Sequence, residues 1–263
     1  MENTHPVLHA YCLNDPSDKA SLVRSLREVD INSARETPTL SAMRSGPGRP
    51  ERPELIDATK VPRRSPHTTA GHAALLHAIA HIEFNAINLA LDAILRFDGM
   101  PYPYYRDWLS VAQDEARHFT LLADHLQALG YAYGDFPAHD GLWSMCEKTS
   151  DDIVARMALV PRTLEARGLD ATPLIQAKLR KVATPSTLES AKILDIILAD
   201  EVGHVAIGNH WYRWLCNTAG KDPVKHYAVV ARQYNAPRLK PPFNDSARLL
   251  AGFTDEELAL MRI

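Results

Sequence analysis

Two short stretches, Asp114–Phe119 (DEARHF) and Asp200–Val205 (DEVGHV), repeat one spacing, Asp-Glu-x-x-His. Both sit in helix-like surroundings. On a helix, residues i and i+3 share a face, so Glu115 with His118 and Glu201 with His204 each present a carboxylate beside an imidazole. With 13 Glu and 12 His in 263 residues, roughly 0.6 Glu-x-x-His matches arise at random, and requiring the preceding Asp lowers this to roughly a few hundredths. A third match, Glu2 to His5, lies in an unpatterned amino terminus and reads as the chance one.

The residues upstream extend the repeat. Glu83 lies before Glu115, flanked by Leu76, Ile79, Ile87 and Ala90; Glu165 lies before Glu201, flanked by Ala158 and Pro161. The pattern is Glu, then Glu-x-x-His, written twice along the chain: a twofold repeat of a helix pair. One Glu from each of two helices and Glu-x-x-His from each of two others is the dinuclear carboxylate site of ferritin-like bundles. The expected ligands are therefore Glu83, Glu115, His118, Glu165, Glu201 and His204. A buried carboxylate without compensation is very costly, and four together would not coexist in a core. Two divalent ions would match four carboxylates, with two neutral imidazoles completing the set. Carboxylate and imidazole suit iron or manganese, and the set contains no thiolate for a softer metal. Asp114 and Asp200 precede the ligand Glu by one position, about 100° around the helix. That position suits a carboxylate accepting from the second ring nitrogen of a metal-bound His.

The periodicity supports an all-α fold. Residues 15–29 read as a short helix opened by Asp15 and Pro16. Residues 37–66 hold six prolines and no helical period, so an extended strap is expected. Its basic residues Arg44, Arg49, Arg52, Lys60, Arg63 and Arg64 outnumber Glu51, Glu54 and Asp57, which reads as a solvated strap. A helix of about 30 residues follows from Thr68, then a second from about Tyr104 to Leu129. A Gly- and aromatic-rich crossover leads to a third helix, from about 149–152 to Gly168, expected to break at RGLDATP and resume with Pro173 in its first turn. A fourth runs from about Ser186 to Cys216. Beyond it, 236–253 reads as irregular, with Thr254 and Glu257 as a capping box for a last short helix. The expected organisation is an amino-terminal helix and strap (1–67), a ferritin-like four-helix bundle with a long crossover between its second and third helices (68–216), and a carboxy-terminal extension (217–263).

Net charge −3 gives no general pull toward nucleic acid or membrane. Cys12, Cys146 and Cys216 are scattered and form no Cys-x-x-Cys, as suits a reducing cytoplasm. The first residues lack a signal-peptide pattern. The apolar run from Ala70 to Phe97 is interrupted by His72, His77, His81, Glu83 and Asp92 and is not expected to span a membrane. His77 and His81 form an i, i+4 pair, but they point about 120° and 160° away from Glu83. Packing and hydrogen bonding are their expected roles. Arg156 and Arg162 read as structural, and His210 with Trp211 as packing against the tail. His139, Asp140 and Trp143 lie in the crossover, where loops often carry function.

The chain resembles the bacterial ferritin-like family catalogued as domain of unknown function 455. The stretches that carry the resemblance are PGRPERPEL, LLHAIAHIEFNAINLALDAILRF, DEARHF, YGDFPAHDGLW, RMALVPRTLEARGLD and DEVGHVAIG, covering most of residues 46–210. It implies a ferritin-like bundle with a dinuclear, di-iron centre. By similarity to di-iron oxygenases at large, Asp114 would hydrogen-bond His204 and Asp200 would hydrogen-bond His118. The function expected first is a cytoplasmic oxidoreductase that uses O₂ on a small organic substrate, fed by an external electron donor. Ferroxidase or iron storage is the alternative; the long extensions would crowd the interface of a storage cage. Peroxide reduction of the rubrerythrin kind would want a Cys-x-x-Cys iron module, which is absent. A bundle with purely structural metals is the remaining option. The sequence leaves the substrate and the oligomeric state open, a dimer among the possibilities.

Overall fold

A computed structural model describes residues 5–34, 43, 46–62 and 65–262. Glu2 of the third Glu-x-x-His match, and Arg44, Arg63 and Arg64 of the strap, lie outside them. Among the described residues the protein is helical, with no strand and one isolated bridge, Leu55 to Ala138. The chain divides into two compact units, Met1–Gly141 and Leu142–Ile263.

The first unit begins with α1 (Pro6–Cys12), α2 (Pro16–Ser25) and α3 (Glu28–Ala34). Asp15 caps α2 by accepting from the backbone N–H of Ser17 and Asp18. The expected single helix over 15–29 is two helices, because Leu26 is extended and buried where they meet. The unexpected α1 is capped by His5 Nδ1 and buries Val7, Ala10 and Tyr11. The two long helices follow: α4 (Thr69–Arg96), capped by Thr68, and α5 (Tyr102–Ala128). They run antiparallel. The Tyr105 hydroxyl donates to the Phe97 carbonyl at one end (2.8 Å), while Phe84 and Phe119 meet with ring centroids 5.7 Å apart further along. α4 is long and apolar enough to cross a membrane by length and composition, yet 83% of its most apolar window is buried within the protein, as in a core helix.

The strap departs from its expected solvated form. Arg52, Lys60, Glu51, Glu54 and Asp57 are exposed, but the strap is pinned at two points. Gly48 donates to the Tyr11 carbonyl at 2.8 Å, and a Cβ there would lie 2.2 Å from the Cys12 carbonyl oxygen. Further on, Ile56 donates to the Ala138 carbonyl and Ala138 to that of Glu54. The ammonium of Lys19 is fully buried and donates to the carbonyls of Tyr11 and Gly48 and to Asn88 Oδ1, tying α2, strap and α4 together.

The second unit contains α6 (Gly141–Lys148), α7 (Ile153–Leu159), a π-helical segment (Val160–Glu165), α8 (Ala166–Val182) and α9 (Pro185–Thr218). The expected break at RGLDATP is displaced. The irregularity lies at 160–165, where Pro161 has no N–H to offer the Met157 carbonyl and the helix widens by one residue instead of continuing as α. α8 then runs unbroken through Pro173. The carbonyl that Pro173 cannot serve, that of Leu169, accepts from Asn244 Nδ2 at 3.1 Å, so the proline is tolerated inside the helix.

The carboxy-terminal part is more helical than expected: α10 (Pro223–Gln233) and α11 (Asp245–Leu250) precede α12 (Asp255–Leu260), whose Thr254–Glu257 capping box is present. Phe253, Ala247, Ala251 and Leu258 pack with Ala166, Leu169 and Val205. The buried Arg162 guanidinium pairs with Glu257 and sits over the rings of Tyr227 (4.7 Å) and Phe253 (4.9 Å), confirming its structural reading. Arg156, fully buried, donates to Thr149 Oγ1 and the Cys146 carbonyl. His210 is exposed, against the packing role expected of it: Trp211 beside it is buried, and from this stretch of α9 Asn209 and Arg213 donate to the tail carbonyls of Ala251 and Gly252.

The π segment and α9 pack closely at Gly208, where an added Cβ would lie 2.6 Å from Pro161 Cβ. Gly208→Ala should therefore destabilise the protein by about 1–3 kcal/mol through overpacking, outweighing the better helix propensity of Ala. Equilibrium urea unfolding of the variant checks this; unchanged or increased stability would contradict the close packing.

Candidate metal centre

In the first unit α4 carries Glu83 and α5 carries Glu115 and His118, all facing the helix–helix interior. Glu83 is 4% exposed and Glu115 and His118 are fully buried. His118 Nδ1 lies 3.2 Å from Glu83 Oε2 and 3.4 Å from Glu115 Oε2. One ligand atom from each of the three falls within 4.8 Å of the others, a Glu/His cluster able to hold a metal ion. The i, i+3 spacing does the local work, and the antiparallel pairing of α4 with α5 brings Glu83 level with His118.

The electrostatics of this cluster ask for positive charge. Burial first, and then the neighbouring Glu115 charge, hold the Glu83 carboxyl well above the ordinary carboxylate range. For His118, burial alone would lower the pKa, but hydrogen bonds to Glu115 and Glu83, and then their charges, lift it to about 11. The cluster is thus arranged to hold positive charge, as protons or as a metal ion. Two carboxylates and an imidazole are hard and borderline donors, a set able to bind a divalent metal ion.

The second unit carries the other half of the pattern, of which Glu201 and His204 come together. His204 Nδ1 lies 3.7 Å from Glu201 Oε1. Glu165, Glu201 and His204 are all buried, at 8%, 9% and 3% exposure. Glu165 closes the π segment. That segment and α8 run antiparallel to α9, since Pro161 faces Gly208 while Gln176 and Arg180 reach Asp195. One turn along from the Pro161–Gly208 contact, Glu165 therefore stands level with His204. Each unit holds one half of the duplicated pattern.

Asp114 is half-buried and pairs with Arg117, three residues on, at 3.0 Å; Asp200 is half-buried too. His77 and His81 take the hydrogen-bonding roles expected of them. Gly134 N donates to His77 Nε2 at 2.8 Å, and His81 Nδ1 lies 2.8 Å from the Tyr133 hydroxyl. Burial, opposed by the Asp135 charge, lowers His77 to about 4. Burial, reinforced by the charges of His77, Arg49 and His139 and partly offset by the His139 backbone, lowers His81 to about 3. In the crossover, Asp140 pairs with Arg49 at 2.7 Å, His139 Nδ1 accepts from Gly141 N, and Trp143 is buried. Arg49, Asn85 and Tyr133 form a polar group around His81 that the sequence did not signal: its members are brought together by strap, helix and loop, with no shared spacing.

A family profile described as "Protein of unknown function (DUF455)" matches residues 12–259. A protein of Haemophilus influenzae, described as an uncharacterized protein, is 46% identical over 256 residues, covering 93% of this chain and 88% of that protein. No solved structure matches.

The protonation of the cluster has a measurable consequence. His118 and Glu83 bind protons more tightly folded than unfolded, so the stability they contribute is complete below their ordinary values of 6.5 and 4.5 and is lost as pH rises, for His118 toward about 11. The metal-free protein should melt at progressively lower temperature from about pH 6 to about pH 9, and metal loading should flatten or reverse that slope because metal takes the place of the protons. Thermal unfolding with and without chelator checks it; parallel slopes in the two forms would count against a metal at this cluster.

Proposed function

Because the chain belongs to the family described as protein of unknown function DUF455, a description that assigns no activity, we propose its function from the chemistry of its two half-sites. The protein is a non-haem dinuclear metal enzyme, with iron the best fit and manganese the alternative, that uses O₂ to oxidise a small organic substrate. The observation that carries this reading is the buried Glu83–Glu115–His118 cluster, matched in the other unit by Glu165, Glu201 and His204. In this reading the two helix pairs form the core of a ferritin-like four-helix bundle and the two triads share one centre.

The residues have distinct tasks. Four carboxylates neutralise two divalent ions, and the two imidazoles supply a neutral donor each, so the occupied site carries little net charge in a dry interior. When bound, a pair of ferrous ions supplies the electrons that reduce O₂ and the oxidising power applied to the substrate. Glu115 and Glu201 hold their positions because each is fixed on one helix turn with its histidine. Asp114 and Asp200, one position before, accept from the second ring nitrogen of the histidine across the bundle, fixing its tautomer and orientation. Water is kept out by the apolar helix faces, above all Leu76, Ile87 and Ala90 of α4 and Ala158 beside the π segment, all fully buried. Turnover in this reading draws on an external electron donor. Ferroxidase activity with iron storage is the competing reading and separates in the same experiment.

Iron-replete protein should carry about two metal ions per chain. Glu115→Ala and Glu201→Ala should fall below one, and His139→Ala, a loop change, should retain both; equal loss in all three would place the metal elsewhere. Anaerobic loading with ferrous iron followed by O₂ should give a transient absorbance whose decay quickens with substrate, whereas steady mineral growth would favour storage. Asp200→Ala should keep the fold and most of the metal but slow the reaction with O₂ by about 10–100-fold, read by stopped-flow absorbance; an unchanged rate would remove Asp200 from the site.

A further inference from the structure

Lys19 is fully buried where α1, α2, the strap and α4 meet. Its Nζ donates to the Tyr11 carbonyl at 3.1 Å, to the Gly48 carbonyl at 2.7 Å and to Asn88 Oδ1. Three N–H bonds meet three acceptors, and all three acceptors are neutral. An ammonium only donates, so the amide end that faces it is the oxygen. That orientation leaves Asn88 Nδ2 buried and without a hydrogen-bond partner among the described residues, a costly arrangement for an amide. The metal reading uses none of these groups.

The same geometry fits an uncharged amine. A neutral Nζ keeps two N–H bonds and gains a lone pair. The carbonyls of Tyr11 and Gly48 are fixed by the backbone, and they take the two N–H bonds. The Asn88 amide can turn by half a rotation about its last side-chain bond, which exchanges its oxygen for its nitrogen. Nδ2, partnerless while the lysine is charged, then donates to the lone pair. Nζ is therefore fully hydrogen-bonded in either protonation state, and the two states differ by one amide rotation.

The surroundings favour the uncharged form. Burial first, and then the Arg49 charge, lower the Lys19 amine to about 7, against an opposing effect of Cys12 at the end of α1. Arg49 itself pairs with Asp140. On α4, Asp92 lies one turn beyond Asn88, where Arg96 holds it at 2.6 Å and the Tyr11 hydroxyl donates to it. α5 reaches the end of α2 through the neutral Gln113, which donates to the Leu26 carbonyl. Asp15, Asp18 and Arg24, around and on α2 itself, are exposed to water. The Phe84 ring, with its centroid 5.1 Å from Nζ, gives the cation some support.

We propose that Lys19 and Asn88 form a proton-operated latch on the strap: a proton taken up at Nζ puts a charge among neutral acceptors and favours release of the strap from α4, and its loss lets the junction close. Closed, the junction holds this proton less tightly than an open one, in which the amine returns toward its ordinary 10.5. Closure is therefore weakest below about pH 7 and strengthens as pH rises from there toward 10.5. The sign is opposite to that of the Glu83–Glu115–His118 cluster, whose contribution to stability falls over the same range, so the two effects separate in one titration.

The test uses the full-length chain after chelation, with its lysine side chains labelled with carbon-13 and followed by NMR from about pH 6 to about pH 9.5. One Cε signal should titrate near pH 7 rather than 10.5. It is identified by its loss in Lys19→Met and by magnetisation transfer to the Phe84 ring, which serves if that variant does not fold. Amide exchange at Gly48, whose N–H is held by the Tyr11 carbonyl, reads the strap. Corrected for the intrinsic rate, its protection should rise about tenfold per pH unit between about pH 7 and about pH 9. Asn88→Asp offers the ammonium a carboxylate, keeps Lys19 charged across that range and should flatten the rise. Amide protection of α5 at the wild-type level shows that this variant keeps its fold; where it does not, the wild-type titration decides alone. A Lys19 titration near 10.5, Gly48 protection that stays level or falls with pH, or an equal rise in folded Asn88→Asp would each overturn the proposal.

Discussion

Like charges buried side by side set the terms for this protein. Glu83 and Glu115 face one interior with His118 between them, and a low-dielectric core tolerates that only if protons or metal ions supply the opposing charge. The scaffold is built to hold such groups in place. α4 is buried on nearly every side, so Glu83 cannot turn to water. α5 carries the other two members of the cluster on a single turn, fixed by helix geometry rather than by loops. The second unit meets the same demand with different means, ending a widened helical segment on Glu165 and placing Glu201 and His204 on the 34-residue α9.

The segments outside the long helices carry part of the architecture. In the first unit the strap and the amino-terminal helices converge on Lys19, whose ammonium joins the Tyr11 and Gly48 carbonyls to Asn88. In the second, the carboxy-terminal helices fold back so that Glu257 meets Arg162 and Arg213, and Asp170 meets Arg248. Arg162 and Arg248 are buried guanidiniums lying over aromatic rings, Tyr227 and Phe253 for the first and Phe243 and Phe253 for the second, while the half-buried Arg213 shares Glu257 with Arg162.

Much of this was legible in the sequence because it is local. The long helices and the two Glu-x-x-His turns follow from periodicity within a few residues, and Thr184, Asp15 and Thr68 mark helix starts by the usual capping chemistry. Asp222 before Pro223 carries the same signal as Asp15 before Pro16, so α10 could have been read; α1 is opened by the rarer His5–Pro6 pair and is only seven residues long. The displaced helix irregularity was missed for a physical reason. A proline's effect depends on whether its orphaned carbonyl finds another donor, and for Pro173 that donor is Asn244, far along the chain. Arg49, Asn85, His81 and Tyr133 were likewise illegible as a group, since their meeting depends on the strap crossing α4 and on a loop returning to it.

The widened segment at Val160–Glu165 has one more implication. A π turn accommodates one residue more than an α turn over nearly the same rise, so the helix before it and the helix after it are out of phase by roughly the 100° one residue spans. Glu165 sits at that seam. The number of residues there is fixed as well as the proline: losing one would let the helix run straight and swing the Glu165 carboxylate off the α9 face. The loop at 219–222, which joins α9 to α10 and ends on the Asp222 cap, carries no candidate ligand whose bearing depends on its length. The stretch ending in a metal-ligand candidate is therefore the one that counts residues.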